Sequence, residues 1–143
     1  MRVKQVSIFL ENRAGRLDDV AEILGAEKIN IRALSLADTA DFGILRLIVN
    51  KPDEACKALH DKGFTTRYTE VIAVEVPDRP GGLATVLKIF KEAVLNVEYM
   101  YAFSEKLSEG AVIIFRIEEI DRAIGILQQK GIKLLTGEEV YKL

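Results

Sequence analysis

A single cysteine, Cys56, is the chain's whole supply of thiol. An intramolecular disulfide and a four-cysteine zinc site are therefore excluded, as is the C-x-x-C pair of a copper carrier. An excess of charge of either sign is also missing: 20 Lys and Arg stand against 22 Asp and Glu in 143 residues, a formal net charge of −2. No basic block breaks that balance. Without a concentrated positive field, nucleic acid is not an expected partner. Long apolar runs are absent too. No stretch approaches the roughly 18 apolar residues a membrane-spanning helix needs. The opening, MRVKQVSIFLENRAG, has only a short alternating apolar run before Glu11 and Asn12, unlike the apolar centre of a signal peptide. These absences lead to the expectation of a soluble cytoplasmic chain with no membrane contact, no metal and no cofactor.

What is present is apolar and repeated. Hydrophobic residues make up 49% of the chain, enough to build a core in one ordinary domain or two small ones. Gly81 stands 66 positions after Gly15, and at that offset the flanking residues match. Val6, Ile8 and Leu10 fall on Ile72, Val74 and Val76; Asn12 and Arg13 fall on Asp78 and Arg79; Leu17, Val20 and Ile23 fall on Leu83, Val86 and Ile89. Ile29–Ile31 (INI) falls on Leu95–Val97 (LNV). Further on the offset drifts to 67 at Gly43 and Gly110, then to 68 at Lys62 and Lys130, as insertions in loops would cause. Two copies of one unit of about 70 residues indicate duplication rather than a solenoid, which needs three or more.

Each copy reads as βαββαβ. Residues 4–10 alternate as a half-buried strand, and Leu17, Val20, Ala21 and Leu24 form a helical stripe over residues 15–26. NIRALSLA (30–37) and GILRLIVN (43–50) form a hairpin through the turn-prone DTAD at 38–41. Pro52 and Asp53 open a helix that Gly63 closes, and FTTRY (64–68) is a last, weaker strand. The second copy repeats the order at 71–76, 81–93, 96–103, 110–117, 120–130 and 132–136. The reading is α+β: two tandem ferredoxin-like units, residues 1–69 and 70–143, each an antiparallel sheet with both helices on one face. In the second copy AVIIFRI (111–117) is apolar on both sides, and VEYMYAF (97–103) adds Tyr99, Tyr101 and Phe103. Strands apolar on both sides are buried on both sides. A second layer supplied by another copy of the chain, hence a homodimer, is expected.

The junctions LENRAGRL (Leu10–Leu17) and VPDRPGGL (Val76–Leu83) leave the first strand of each copy and begin its first helix. A helix N-terminus presents N–H groups without intrahelical partners and a partial positive charge, which suits a carboxylate or phosphate. Glycine allows positive φ and close approach to the backbone. Asn12 or Asp78 can cap the helix or accept a bond from an ammonium group. A carboxylate at backbone N–H groups beside an ammonium acceptor describes a free amino acid. A capped turn that binds nothing explains the same residues, and duplication would copy such a turn as readily as a site.

ENRAGRLDDVAEILGAEKINI and PDRPGGLATVLKIFKEAVLNV resemble the start of ACT domains, small regulatory modules found beside enzymes of amino-acid metabolism. The pattern is D-x-P-G-x-L after the first strand, a helix, then N-I or N-V at the second strand. The second copy carries it with Asp78, Pro80, Gly81 and Leu83; the first departs from it with Asn12 and Ala14. The resemblance extends over nearly the whole chain. It implies side-by-side sheets, with amino acids held where the first loop of one domain meets strands of its neighbour. One candidate site is then Asn12, Ala14, Gly15, Arg16 and Leu17, and the other is Asp78, Pro80, Gly81, Gly82 and Leu83. It also implies a stand-alone allosteric sensor without catalytic residues, whose partner is an enzyme of amino-acid metabolism. Of the two loops the second is expected to bind more strongly: Asp78 is ionised, Pro80 fixes φ, and Gly82 leaves room where Arg16 carries a long side chain.

Other chemistries fare less well. Cys56 and His60 share a helix face at i, i+4, but two ligands are too few for a typical structural metal site, and no orienting acid makes them a nucleophile pair. Arg13 and Arg79 can grip a carboxylate or stay solvated. Tyr99 and Tyr101 share a strand face, yet the neighbouring GAVIIFRI lacks the aromatics of an RNA-binding sheet. Ferredoxin-like topology also hosts small hydrolases, and fold alone does not choose. The alternative to a ligand sensor is a protein-interaction module whose sites are vestigial.

Overall fold

The alternation of Val6, Ile8 and Leu10 becomes strand β1 (Val3–Glu11), with all three side chains buried. The computed structural model describes residues 1–38, 41–103 and 110–143. Strand β1 leads to helix α1 (Arg16–Ala26), strands β2 (Ile31–Asp38) and β3 (Phe42–Val49), helix α2 (Pro52–Asp61) and strand β4 (Thr65–Pro77). Residues 39 and 40 of the expected DTAD turn lie outside the described residues. β1 and β3 pair antiparallel with Val6 opposite Leu47 and Ile8 opposite Leu45. β2 and β3 pair antiparallel as the hairpin. The strand order β2-β3-β1-β4 is that of a ferredoxin-like sheet. Val20 and Leu24 of α1 and Ala55 and Leu59 of α2 share one core with Val6, Ile8, Leu45 and Leu47, so both helices cover the same sheet face.

The second half repeats the plan with helix α3 (Gly82–Glu92), strands β5 (Val97–Ala102) and β6 (Gly110–Ile117), helix α4 (Ile120–Gln129) and strand β7 (Leu134–Leu135). β6 pairs antiparallel with β4 and with β5, and β7 pairs antiparallel with β4. Here Val86 and Phe90 of α3 and Ala123 and Leu127 of α4 pack with Ile72, Val74, Phe115 and Ile117. The rings of Phe90 and Phe115 meet edge to face, centroids 5.2 Å apart at 78°, a favoured aromatic geometry.

Three features depart from the sequence reading. The strands read at 64–68 and 71–76 are one, the 13-residue β4. β7 is only two residues long, against the expected span of 132–136. A short helix, α5 (Gly137–Tyr141), follows it. Its start is a reciprocal capping box: the Thr136 N–H donates to Glu139 Oε2 at 2.8 Å and the Glu139 N–H to Thr136 Oγ1 at 3.2 Å.

By contacts the chain divides into two compact units. One is Lys4–Thr69 with Tyr141–Leu143, the other Met1–Val3 with Glu70–Val140. Each therefore includes a few residues from the far end of the chain. In the first, the Lys4 N–H donates to the Tyr141 hydroxyl at 2.8 Å. In the second, Arg2 bonds Glu70 and reaches Asp121 Oδ2 at 2.6 Å. The sequence reading assigns a second copy as cover for the helix-free side of β6. Val112 and Ile114 on that side are buried.

Candidate functional site

Both strand-to-helix junctions adopt the same backbone. Gly15 (φ 89°, ψ −18°) and Gly81 (φ 84°, ψ −7°) are the N-cap residues of α1 and α3, both left-handed. That is a conformation other L-residues adopt at a cost. The turn before each closes on itself. The Arg13 N–H bonds the Glu11 carbonyl at 2.9 Å and the Arg16 N–H the Arg13 carbonyl at 3.4 Å; the Arg79 N–H bonds Pro77 at 2.9 Å and the Gly82 N–H bonds Arg79 at 3.0 Å. The N-cap residue of each helix, being a glycine, has no side chain with which to cap it, and Asn12 and Asp78 stand three residues earlier.

In the first unit the junction borders a cleft of about 260 Å³ lined by Leu10, Glu11, Asn12, Arg13, Leu17, Leu36 and Gly43. Of the residues expected at this site, Asn12 and Leu17 line it; Ala14, Gly15 and Arg16 do not. The Asn12 N–H donates to the Asp41 carbonyl at 3.0 Å, fixing the loop beside β3. Arg13 pairs with Glu11 at 3.4 Å. Arg16 is committed elsewhere. Its guanidinium lies 4.3 Å from the centre of the Phe64 ring and 3.4 Å from Asp19.

In the second unit a larger cleft, about 460 Å³, is lined by Glu75, Pro77, Asp78, Arg79, Gly110, Gly131, Ile132 and Lys133. Asp78 is the one expected site residue that lines it; Pro80, Gly81, Gly82 and Leu83 do not. Gly82 is buried, and a Cβ there would sit 2.0 Å from the Pro77 carbonyl oxygen. The space of the missing side chain is filled by the chain's own backbone, so Gly82 does not make room for a ligand. Two residues the sequence reading passed over stand in this cleft: Glu75 Oε2 pairs with Lys133 Nζ at 3.1 Å. They are 58 positions apart in sequence, and only the pairing of β7 with β4 brings them together.

Away from the clefts, Asp53 accepts the Tyr68 hydroxyl at 2.7 Å and pairs with Lys4 Nζ at 3.2 Å. Those two donors, the tyrosine first, hold its carboxyl below the usual value. Burial, then the bond to Asp53, pushes the Tyr68 hydroxyl up, so it is a donor and not a phenolate. Cys56 is half-buried against the first core, and His60 is exposed. Among the described residues no cluster of three or more His, Cys, Asp or Glu could hold a metal ion, and no helix is long and apolar enough to cross a membrane. Tyr99 and Tyr101 are half-buried on β5, opposite Arg116 and Ile114.

Comparison with known proteins places these observations. The family model described as an ACT domain pair matches residues 1–143. Among solved structures, protein BT0572 from Bacteroides thetaiotaomicron superposes with a TM-score of 0.94 at 44% identity, over 100% of this chain and 98% of that one. The regulatory subunit of aspartate kinase from Thermus thermophilus superposes with a TM-score of 0.62 at 15% identity, over 88% and 90% of the two chains. The corresponding subunit from Thermus flavus gives 0.60 at 15% identity with the same coverage. At that identity these two attest the fold alone. No curated protein matches the chain.

Proposed function

The chain belongs to the ACT domain pair family, and from that premise we propose that it is a non-catalytic regulatory protein that binds a free amino acid. The boundary between its two ACT domains falls at Thr69. ACT pairs resemble regulatory modules, such as the aspartate kinase regulatory subunits that share this fold. The observation that carries the reading is the repeated junction: a left-handed glycine N-cap beside a cleft lined by Asn12 in one unit and Asp78 in the other. Helix N-termini favour a carboxylate, and the neighbouring Asx side chain suits an ammonium. The binding positions in this reading are Asn12, Ala14, Gly15, Arg16 and Leu17, and Asp78, Pro80, Gly81, Gly82 and Leu83. Asn12, Leu17 and Asp78 have the best access to the clefts. The output is a change in an enzyme of amino-acid metabolism that the protein contacts in the cytoplasm.

A thermal-shift screen against the twenty amino acids tests it. A ligand that binds only the native state at 100 times its Kd adds about 2.7 kcal/mol to stability. At least one amino acid should raise the melting temperature, and calorimetry should show saturable binding. If all twenty leave the transition unmoved, the reading fails in favour of an interaction module with vestigial sites.

A further inference from the structure

The second cleft holds an arrangement that the first lacks. Its charged lining is balanced: Glu75 and Asp78 against Arg79 and Lys133. Glu75 Oε2 is buried and has no hydrogen-bond partner, although Lys133 Nζ lies 3.1 Å away. The contact is thus a charge pair without hydrogen-bond alignment, and it leaves a buried acceptor unserved. Such an acceptor calls for a donor. Lys133 is the partner free to move, with its side chain 67% exposed against 21% for Glu75. The carboxylate is seated by Gly110, where a Cβ would stand 2.7 Å from Glu75 Cγ and 2.9 Å from Oε1. A side chain there would push the carboxylate out of its seat. Among the described residues Arg79 has no ion pair, whereas Arg13 at the matching position is tied to Glu11.

By the repeat, Glu75 falls on Phe9 and Lys133 on Thr65. Phe9 is half-buried under the Arg67 guanidinium, 5.7 Å from the ring centre. The first unit therefore offers no carboxylate–ammonium pair at this place.

We infer that the cleft between the end of β4 and β7 takes one small zwitterion per chain by exchanging the Glu75–Lys133 pair. The ligand ammonium goes to Glu75, with Asp78 beside it. The ligand carboxylate goes to the released Lys133 and to Arg79. The exchange trades one pair without hydrogen-bond alignment for two charge-assisted contacts. This deepens the amino-acid reading and rests on it. It moves the principal grip of the second unit from the glycine turn to Glu75 and Lys133.

The test uses the full chain and the amino acid that gives the largest thermal shift among the twenty. Glu75→Gln and Lys133→Met should each weaken its binding by about tenfold or more, the scale of a lost charge-assisted bond. The N-acetyl and methyl-ester derivatives of that amino acid, each lacking one charge, should bind less well by a similar factor. Stoichiometry at this cleft should be one per chain. In amide NMR of the wild type, Gly110, Gly131 and Lys133 should shift on titration; this readout does not depend on how well the variants fold. If the amino acid binds, both variants bind as wild type, and shifts confine themselves to residues 15–18 and 81–84, the inference is overturned while the broader reading stands. If no amino acid binds the wild type, both fall.

Discussion

One methyl group at Gly82 should be enough to spoil the second glycine junction. Its Cβ would lie 2.0 Å from the Pro77 carbonyl oxygen and 3.1 Å from the carbonyl carbon. Even close carbon–oxygen approaches in proteins stay near roughly 3.3–3.6 Å, so loop and helix must separate by roughly 1 Å or more. The obstacle is backbone and cannot rotate away. Forcing a methyl group into a closed space costs about 1–3 kcal/mol. Gly82 is not among the positive-φ glycines, so the whole cost is steric. Gly81 is the reverse case: it has φ 84° with nothing within 4 Å of the place a methyl group would take, and Gly15 matches it at φ 89°. There the cost is purely conformational, about 1–2 kcal/mol. Gly15→Ala and Gly81→Ala should therefore destabilise by similar amounts through one mechanism, and Gly82→Ala through another. Arg16 stands at the repeat position of Gly82 and already carries a Cβ. Arg16→Ala should lose its stacking on Phe64, about 0.5–1 kcal/mol, and its surface pairing with Asp19, which adds about 0–1 kcal/mol. Urea titrations of the four variants, followed by circular dichroism, give the differences directly. A cost below about 0.5 kcal/mol for Gly82→Ala, within the range of an ordinary surface change, would refute the reasoning.

Three further outcomes follow from the geometry. Phe90 is buried edge-on to Phe115, and Phe90→Ala should cost about 3–5 kcal/mol in the same titration; a loss near 1 kcal/mol would mean the core closes over the gap. Asp78→Ala should weaken amino-acid binding more than Asn12→Ala, by about 1 kcal/mol or more because the aspartate bond is charge-assisted; calorimetry showing equal losses, or a larger one at Asn12, would put the principal site in the first unit. Asp53 titrates below its ordinary value because of Tyr68 and then Lys4, so its contribution to stability is complete above the unfolded value of about 3.9 and is lost as pH falls through the folded one. Tyr68→Phe should raise the Asp53 value in a carboxyl NMR titration and shrink that acid-side loss; an unchanged Asp53 would rule out the hydroxyl as its main support.

The helices and most strands are legible in the sequence because each buries one face, and burial writes a period into it. Val20 and Leu24, or Val86 and Phe90, are such marks, and both pairs are buried. The break expected between Tyr68 and Val71 is not real. Thr69 and Glu70 interrupt the apolar alternation, but a strand continues wherever its backbone finds partners, and β4 runs through them. Helix α5 escapes the reading although T-x-x-E at Thr136–Glu139 is a legible capping signal, because five residues are too few to show a period. At the site, the glycine turns are readable from their repetition. Glu75 and Lys133 are not: each is an ordinary charged residue on a strand or its edge, and nothing local signals that a two-residue ladder will pair them.

Strand β4 has a consequence for how such a protein can be taken apart. A gene cut between the codons for Thr69 and Glu70 severs the strand at the point where one compact unit gives way to the other. Neither half-gene encodes a complete unit, since Met1–Val3 goes with the later residues and Tyr141–Leu143 with the earlier ones. The first half would lose the hydroxyl that receives the Lys4 amide, and the second would lose the arginine that bridges Glu70 and Asp121. Exchange of one half at that cut therefore breaks both terminal contacts, whereas exchange of the whole pair keeps them.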